Sequence, residues 1–262
     1  MEAAGGWSAD TLTEDLDLSY RAQMQGWKFQ YLEEVESPAE LPVLMPAIRS
    51  QHFRWNKGAA ECARKNLLKS LKVQSGFFNK LHAFFHLTNS SIFIIILLAA
   101  LLSVPMLFVQ QAHPELEGVY RLGSVFLLGF LSIAFFYWTA SRRLFPRRSW
   151  QYFLRLFPPF LVVSMGLSAH NTLAVAEGWL GKKSPFLRTP KFNILGKEGG
   201  WKENSYIRSG LSWLTVVEML LILYFAFGLA AGLYLQHWSL LPFHLMLVLG
   251  FSLVVFYTLR GR

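Results

Sequence analysis

The side chains with chemical potential gather in two short stretches of this 262-residue chain. Asp15 follows Thr13 and Glu14 at the head of a helical pattern, with Asp17 close behind. The free amides and the dipole of a helix N-terminus attract a carboxylate. Beside a cleft, such a carboxylate can take a proton from a hydroxyl as a general base. On spacing alone, complementing the dipole is the plainer role of these acids. Asp15-Leu16-Asp17 also spells a metal-binding DxD pattern, but in a helix the two side chains diverge by about 200°, which excludes a joint metal site. Gln51, Arg54 and Trp55 stand at i, i+3 and i+4 and share one helix face. Arginine clamps phosphate through two parallel donors, a task lysine performs less specifically. Tryptophan offers a flat face to the apolar side of a sugar ring, and glutamine serves hydroxyls as donor and acceptor. The trio suits a sugar diphosphate leaving group beside an acceptor sugar, and equally an amphipathic helix lying on a membrane. His82 and His86 have metal-compatible spacing. No third ligand is near, and Phe84, Phe85 and Leu87 around them indicate an interfacial pair, so no metal ligand is identified in the chain.

The elements that position these groups are legible in part. Thr11-Leu12-Thr13-Glu14 reads as a capping box with Thr11 as N-cap. Leu12, Leu16, Tyr20 and Met24 recur every four residues as an apolar stripe, and Gly26 closes the helix. Lys28–Leu32 alternates like a short strand, and 37–46, with three prolines, reads as a loop. A second, basic helix is predicted over Ala47–Leu71. One helix, one strand and another helix cannot enclose a core. Residues 1–89 therefore read as the last pieces of an α/β domain whose earlier strands lie elsewhere.

Composition places the rest in lipid. Hydrophobic residues make up 53% and charged residues 16%, against about 25% charged in soluble domains. The single Cys62 forms no internal disulfide. Runs 91–111, 122–140, 211–235 and 240–259 meet the length of about 20 residues needed to cross a bilayer, predicting four transmembrane helices. Residues 1–48 carry nine acids and two bases, residues 49–89 eight bases and one acid, and the remainder fifteen bases and six acids. The later bases sit between apolar runs and form no continuous stripe, which excludes nucleic acid as a partner. Positive-inside logic puts residues 1–89, the Arg142 loop, the Lys182 loop and the C-terminus in the cytoplasm of an integral membrane protein of the plasma or inner membrane. The region 153–177 then has both flanks on one side. Ser164, Ser168 and Asn171 give it a polar stripe and Pro158-Pro159 a sharp start, so it is predicted as an amphipathic helix in the interface plane.

Two motifs carry a resemblance: Thr13-Glu14-Asp15, and about 36 residues later Gln51-His52-Phe53-Arg54-Trp55, just ahead of the apolar runs. In this order they resemble the TED and QxxRW motifs of the membrane-embedded family 2 glycosyltransferases, of the cellulose synthase and mannan synthase type. Phe186-Leu187-Arg188-Thr189-Pro190-Lys191 is similar to the gating loop FxVTxK of bacterial cellulose synthase, with Arg188 in place of valine. The resemblance implies a mainly α membrane protein: the C-terminal remnant of a GT-A α/β domain over 1–89, and a channel region over 90–262 with the gating-like loop over about 178–208. It implies that Asp15 is the catalytic base, that Gln51 and Trp55 bind the acceptor, that Arg54 contacts the donor diphosphate, and that Phe186, Thr189 and Lys191 belong to the gating loop. Implied partners are a nucleotide sugar donor, a growing polysaccharide acceptor, membrane lipids and an absent N-terminal catalytic half, with Mg²⁺ or Mn²⁺ in the complete enzyme. Phe135, Trp138 and Tyr224 are channel-lining candidates. Without the donor-binding half, the chain by itself is expected to be inactive. A lipid-acceptor enzyme of the same family and a non-catalytic membrane scaffold are the alternatives.

Overall fold

The structure, a computed structural model, describes residues 2–122, 126–186 and 212–260. The chain divides into two compact units: Met1–Leu97 with Ser168–Ser212 and Tyr257–Arg262, and Leu98–Leu167 with Trp213–Phe256. Both are helical, and among the described residues there is no strand.

In the first unit, α1 (Glu14–Met24) begins two residues later than the capping box predicts. Thr13 is the N-cap and makes no side-chain capping bond. Thr11 is buried, and Glu61 of the next long helix accepts the Leu12 N–H at 2.8 Å. A tertiary acceptor thus holds the residue just ahead of the cap. The C-terminus matches the expectation: Gly26 has φ +88°, with Gly26 N–H donating to Gln23 and Trp27 N–H to Ala22. These two bonds satisfy terminal carbonyls through a left-handed residue that only glycine adopts without strain.

Lys28–Leu32 forms no strand; it runs without regular structure, with Phe29, Tyr31 and Leu32 exposed. An alternating segment becomes a strand only against another strand edge, and the described residues provide none.

The second helix, α2 (Met45–Lys72), extends slightly beyond the predicted span, with Pro46 in its first turn, where a missing N–H costs nothing. It is followed by α3 (Phe77–Thr88) and α4 (Ile92–Ala112). A core of Tyr20, Cys62, Ala63 and Leu87 joins α1, α2 and α3, with Leu16, Leu67, Ala83 and Trp179 packed on it.

After the short α5 (Glu117–Leu122) come α6 (Phe126–Leu144), α7 (Ser149–Gly166) and α8 (Ser168–Leu180). The single interfacial helix predicted for 153–177 is therefore two helices that break at Leu167. Pro158-Pro159 lie inside α7 instead of starting it. The expected polar stripe does not face water either: Ser168 and Asn171 are fully buried. The cause is that α8 packs along α2, placing its small and polar side chains inside the first unit. A Cβ at Gly178 would lie 2.6 Å from the Lys57 carbonyl oxygen, so the two backbones meet there directly. Thr172 donates to the Phe93 carbonyl and Trp179 Nε1 to Ser91 Oγ, tying α8 to the start of α4.

The second unit holds α4 from Leu98 onward, α6, α7, α9 (Trp213–Tyr234) and α10 (Leu241–Arg260). Phe225 stacks on Phe251, and Ser103 pairs with buried His244 at 2.8 Å. Gly166 and Gly250 bring the α7 and α10 backbones together where no Cβ would fit. Of the channel-lining candidates, Phe135 and Trp138 lie in an aromatic cluster that includes Trp150, and Tyr224 donates to the Leu101 carbonyl at 2.6 Å.

Among the described residues, three stretches are long and apolar enough to cross a membrane: Phe77–Ala112, Trp213–Tyr234 and Trp238–Arg260. The bent pair α7–α8 would make four if it counts as one span. The three match the expected runs 91–111, 211–235 and 240–259. The run 122–140, expected as another span, is not among them: its described part belongs to α6, which carries Arg142 and Arg143 in its last turn.

Candidate active site

The site is built on one stripe of α2. Gln51, Arg54, Gly58 and Glu61 follow at spacings of three, four and three, the rhythm of a single helix face. At its C-terminal end, Glu61 takes the Leu12 N–H. One turn earlier, a Cβ at Gly58 would lie 2.6 Å from Thr13 Cγ2 and 2.8 Å from the Thr13 amide nitrogen. Thr13, the first residue of its motif, therefore lies directly on α2, at a position one helical turn after Arg54. The glycine is what allows it, because any side chain at 58 would push the segment away.

The two acids of the DxD pattern part as their spacing demands. Asp17 is fully buried and saturated: Arg21 Nε at 2.9 Å, Lys65 Nζ at 3.0 Å and Asn66 Nδ2 at 2.8 Å. Burial works to raise its pKa, but the donors from Asn66, Lys65 and Arg21 outweigh that and hold it below the usual carboxylate range. Lys65 answers with a raised pKa: burial opposes its charge, and Asp10 and Asp17 outweigh the burial. The other arms of Arg21 donate to the carbonyls of Ala4 and Gly6, fastening the N-terminal turn. Asp15 is exposed, and among the described residues its Oδ1 accepts the adjacent Leu16 N–H at 2.8 Å. One carboxylate is thus spent on structure, and the other faces outward beside the Thr13–Gly58 contact.

Among the motif residues of α2, Trp55 is 49% exposed with its indole open, its ring 5.9 Å from that of His52. Burial holds the His52 imidazole below its usual pKa. Gln51 is half-buried. Arg54 meets Phe186: the guanidinium carbon lies 4.8 Å from the ring centre. A stacked guanidinium keeps its N–H edge free in the plane, the edge that grips phosphate. The structure thereby joins the second motif to the first residue of the gating-like loop. Thr189 and Lys191 lie outside the described residues.

Three functional neighbours escaped the sequence reading. Lys57, fully buried, donates to Glu177 Oε2 at 2.9 Å and Ser184 Oγ at 2.5 Å. Arg49, also buried, donates to Thr258 Oγ1 at 3.3 Å and reaches His170 Nδ1 at 3.4 Å, while His170 Nε2 donates to the Arg49 carbonyl at 2.9 Å. Glu61 holds Leu12 just ahead of the cap. Their partners lie up to 209 residues away, so spacing gave no sign of them. The lone glycine inside a 28-residue helix was the available clue to the close approach of another segment.

The metal question resolves on donor chemistry. Among the described residues no three His, Cys, Asp or Glu side chains gather to hold an ion. Asp17, the second acid of the DxD pattern, is occupied by Arg21, Lys65 and Asn66. These residues do not fit a metal, and no step is derived through one.

The profile described as glycosyl transferase family group 2 matches residues 1–141, more than half of the chain and including both motifs. The chain belongs to this family. A probable glucomannan 4-beta-mannosyltransferase 3 of Arabidopsis thaliana is 29% identical over 248 residues, which is 87% of this chain and 41% of that protein. A probable glucomannan 4-beta-mannosyltransferase 11 of Oryza sativa subsp. japonica is 40% identical over 86 residues, 32% of this chain and 15% of that protein. A probable glucomannan 4-beta-mannosyltransferase 3 of the same rice is 48% identical over 65 residues, covering 25% and 12%. The chain thus spans less than half the length of these curated relatives. No solved structure gives a significant match.

Proposed function

We propose that this glycosyltransferase-family chain supplies the acceptor side of the active site and the membrane region of an inverting β-glycosyltransferase. The enzyme extends a polysaccharide from a nucleotide sugar processively and passes it through the membrane. The observation that supports this reading is the Thr13–Gly58 contact, which seats the start of the first motif on the helix that carries Arg54 one turn earlier.

The chemistry follows from that placement. Gln51 and Trp55 hold the end of the acceptor. Asp15 removes the proton from the attacking hydroxyl as its oxygen bonds to the anomeric carbon. The bond from that carbon to the diphosphate oxygen breaks, and the departing negative charge meets Arg54. Attack opposite to departure inverts an α-linked donor to a β-linked product. Base and clamp act on a single carbon, so their separation matters more than the strength of either. Thr189 and Lys191 contact the nucleotide. Mg²⁺ or Mn²⁺ in the complete enzyme is held by residues other than those described. The relatives' names favour a mannosyl unit, and their greater length supports a donor-binding half supplied by further polypeptide, without which this chain is silent. The N-terminal region, the basic loops and the C-terminus face the cytoplasm.

The test is sugar transfer from nucleotide sugars in membranes where this chain is joined to the donor-binding half of a family relative. Asp15→Asn lowers the rate about 10²- to 10⁴-fold while acceptor binding persists. An unchanged rate removes Asp15 from catalysis and overturns the reading.

A further inference from the structure

The stretch 182–186 leaves the end of α8 without regular secondary structure, so side-chain ties decide where it lies. Lys57 makes the central one. Lys57 has no exposure to solvent, and its ammonium sits between the Glu177 carboxylate and the Ser184 hydroxyl. A buried cation is costly unless its partners are in place, so the three groups persist together or not at all. Glu177 uses its second oxygen to accept from Lys182 at 2.5 Å, pinning the start of the same stretch. The Lys57 backbone is held as well, because its carbonyl meets α8 at Gly178. Ser184 is two residues before Phe186, a reach of about 7 Å at full extension. Lys57 is three residues after Arg54, on the adjoining part of the same turn.

We propose that Lys57 is a positioning residue for this site: with Glu177 and Ser184, it fixes the 182–186 stretch so that the Phe186 ring stays over the Arg54 guanidinium and aims its N–H edge. The inference rests on the reading of Arg54 as the diphosphate contact. A purely structural Lys57 would only join α8 to α2. It would leave Phe186 indifferent to Ser184, because the Lys57–Glu177 pair survives in Ser184→Ala.

The experiment uses the full chain in lipid nanodiscs, with 4-fluorophenylalanine at position 186 observed by ¹⁹F NMR. Arg54→Ala defines the resonance of the unstacked ring. Ser184→Ala and Lys57→Met are expected to move the resonance most of the way to that position. Thiol protection of Cys62 reports whether each variant remains folded, and if Lys57→Met does not, Ser184→Ala decides. A resonance that stays at the wild-type position in folded variants overturns the proposal. Inorganic pyrophosphate is then titrated. A wild-type shift that Arg54→Ala abolishes, and that Ser184→Ala shows only at roughly threefold to tenfold higher pyrophosphate, supports positioning for anion binding. No wild-type shift with pyrophosphate overturns the diphosphate role of Arg54, while the Ser184 and Lys57 displacements would still stand as evidence of anchoring.

Discussion

Asp15 and Asp17 occupy the same short helix two residues apart, yet they live in opposite worlds. Asp17 is sealed beneath α1, its oxygens claimed by two cations and an amide. Asp15 looks outward, and among the described residues it accepts from the neighbouring Leu16 amide. The contrast shows how a helix separates holding from reacting. Its inner face fixes α1 to α2, and its outer face leaves one carboxylate able to meet a proton. A reactive acid needs a rigid seat and vacant lone pairs, and one residue cannot supply both.

The contrast can be broken most forcefully from the inside. Asp17→Asn takes the carboxylate from Arg21 and leaves Lys65 with Asp10 alone, and is expected to cost about 3–5 kcal/mol. Cys62 reads this directly: it is the chain's one thiol, fully buried beside Tyr20, and burial raises its pKa to about 11. Thermal alkylation of Cys62 in detergent should shift to markedly lower temperature in the variant. The pH dependence follows with a fixed sign. The Asp17 pKa is lowered on folding, so its stabilisation is complete above the unfolded value near 4 and is lost as pH falls through the lower folded value. Asp17→Asn should lack that acid-dependent loss. If wild type and variant lose Cys62 protection in parallel as pH falls, Asp17 is not the inner anchor.

A smaller effect is expected at the seam between the segments. Gly58→Val drives side-chain atoms into Thr13 and should destabilise by about 1–3 kcal/mol. It should also lower sugar transfer in the joined enzyme, because the carboxylate moves away from the clamp. Normal transfer by a destabilised Gly58→Val would separate packing from catalysis. The smallest effect on stability belongs to Asp15→Asn, within about 0.5 kcal/mol. Cys62 alkylation should therefore match wild type even where transfer is lost. A large stability change would make Asp15 a second structural acid and erase the contrast.

Local signals in the sequence carried local structure well. Gly26 is the left-handed residue its position announces, and α2 and the apolar runs around 91–111, 211–235 and 240–259 are helices. Gln51, Arg54 and Trp55 do lie in one helix, as their spacing predicts. The failures share a cause, which is partners distant in sequence. Thr11 reads as a cap, but Thr13 takes that place, and Glu61 of another helix holds Leu12 just ahead of it. Ser168 and Asn171 read as wet, but α2 covers them. Lys28–Leu32 alternates like a strand but meets no edge among the described residues. Lys57 looked like one more base in a basic stretch, and only the fold shows its charge held by Glu177 and Ser184.

The two glycine contacts of α2 turn that helix into a gauge block. At Gly58 the Thr13 amide and its short side chain press on α2, and at Gly178 the Lys57 carbonyl meets α8, so neither point has room for a side chain in place of the glycine. The spacing at both points is therefore set by atomic radii. Such a spacing resists gradual drift: a mutation at either point either preserves the fit or forces a whole segment to relocate.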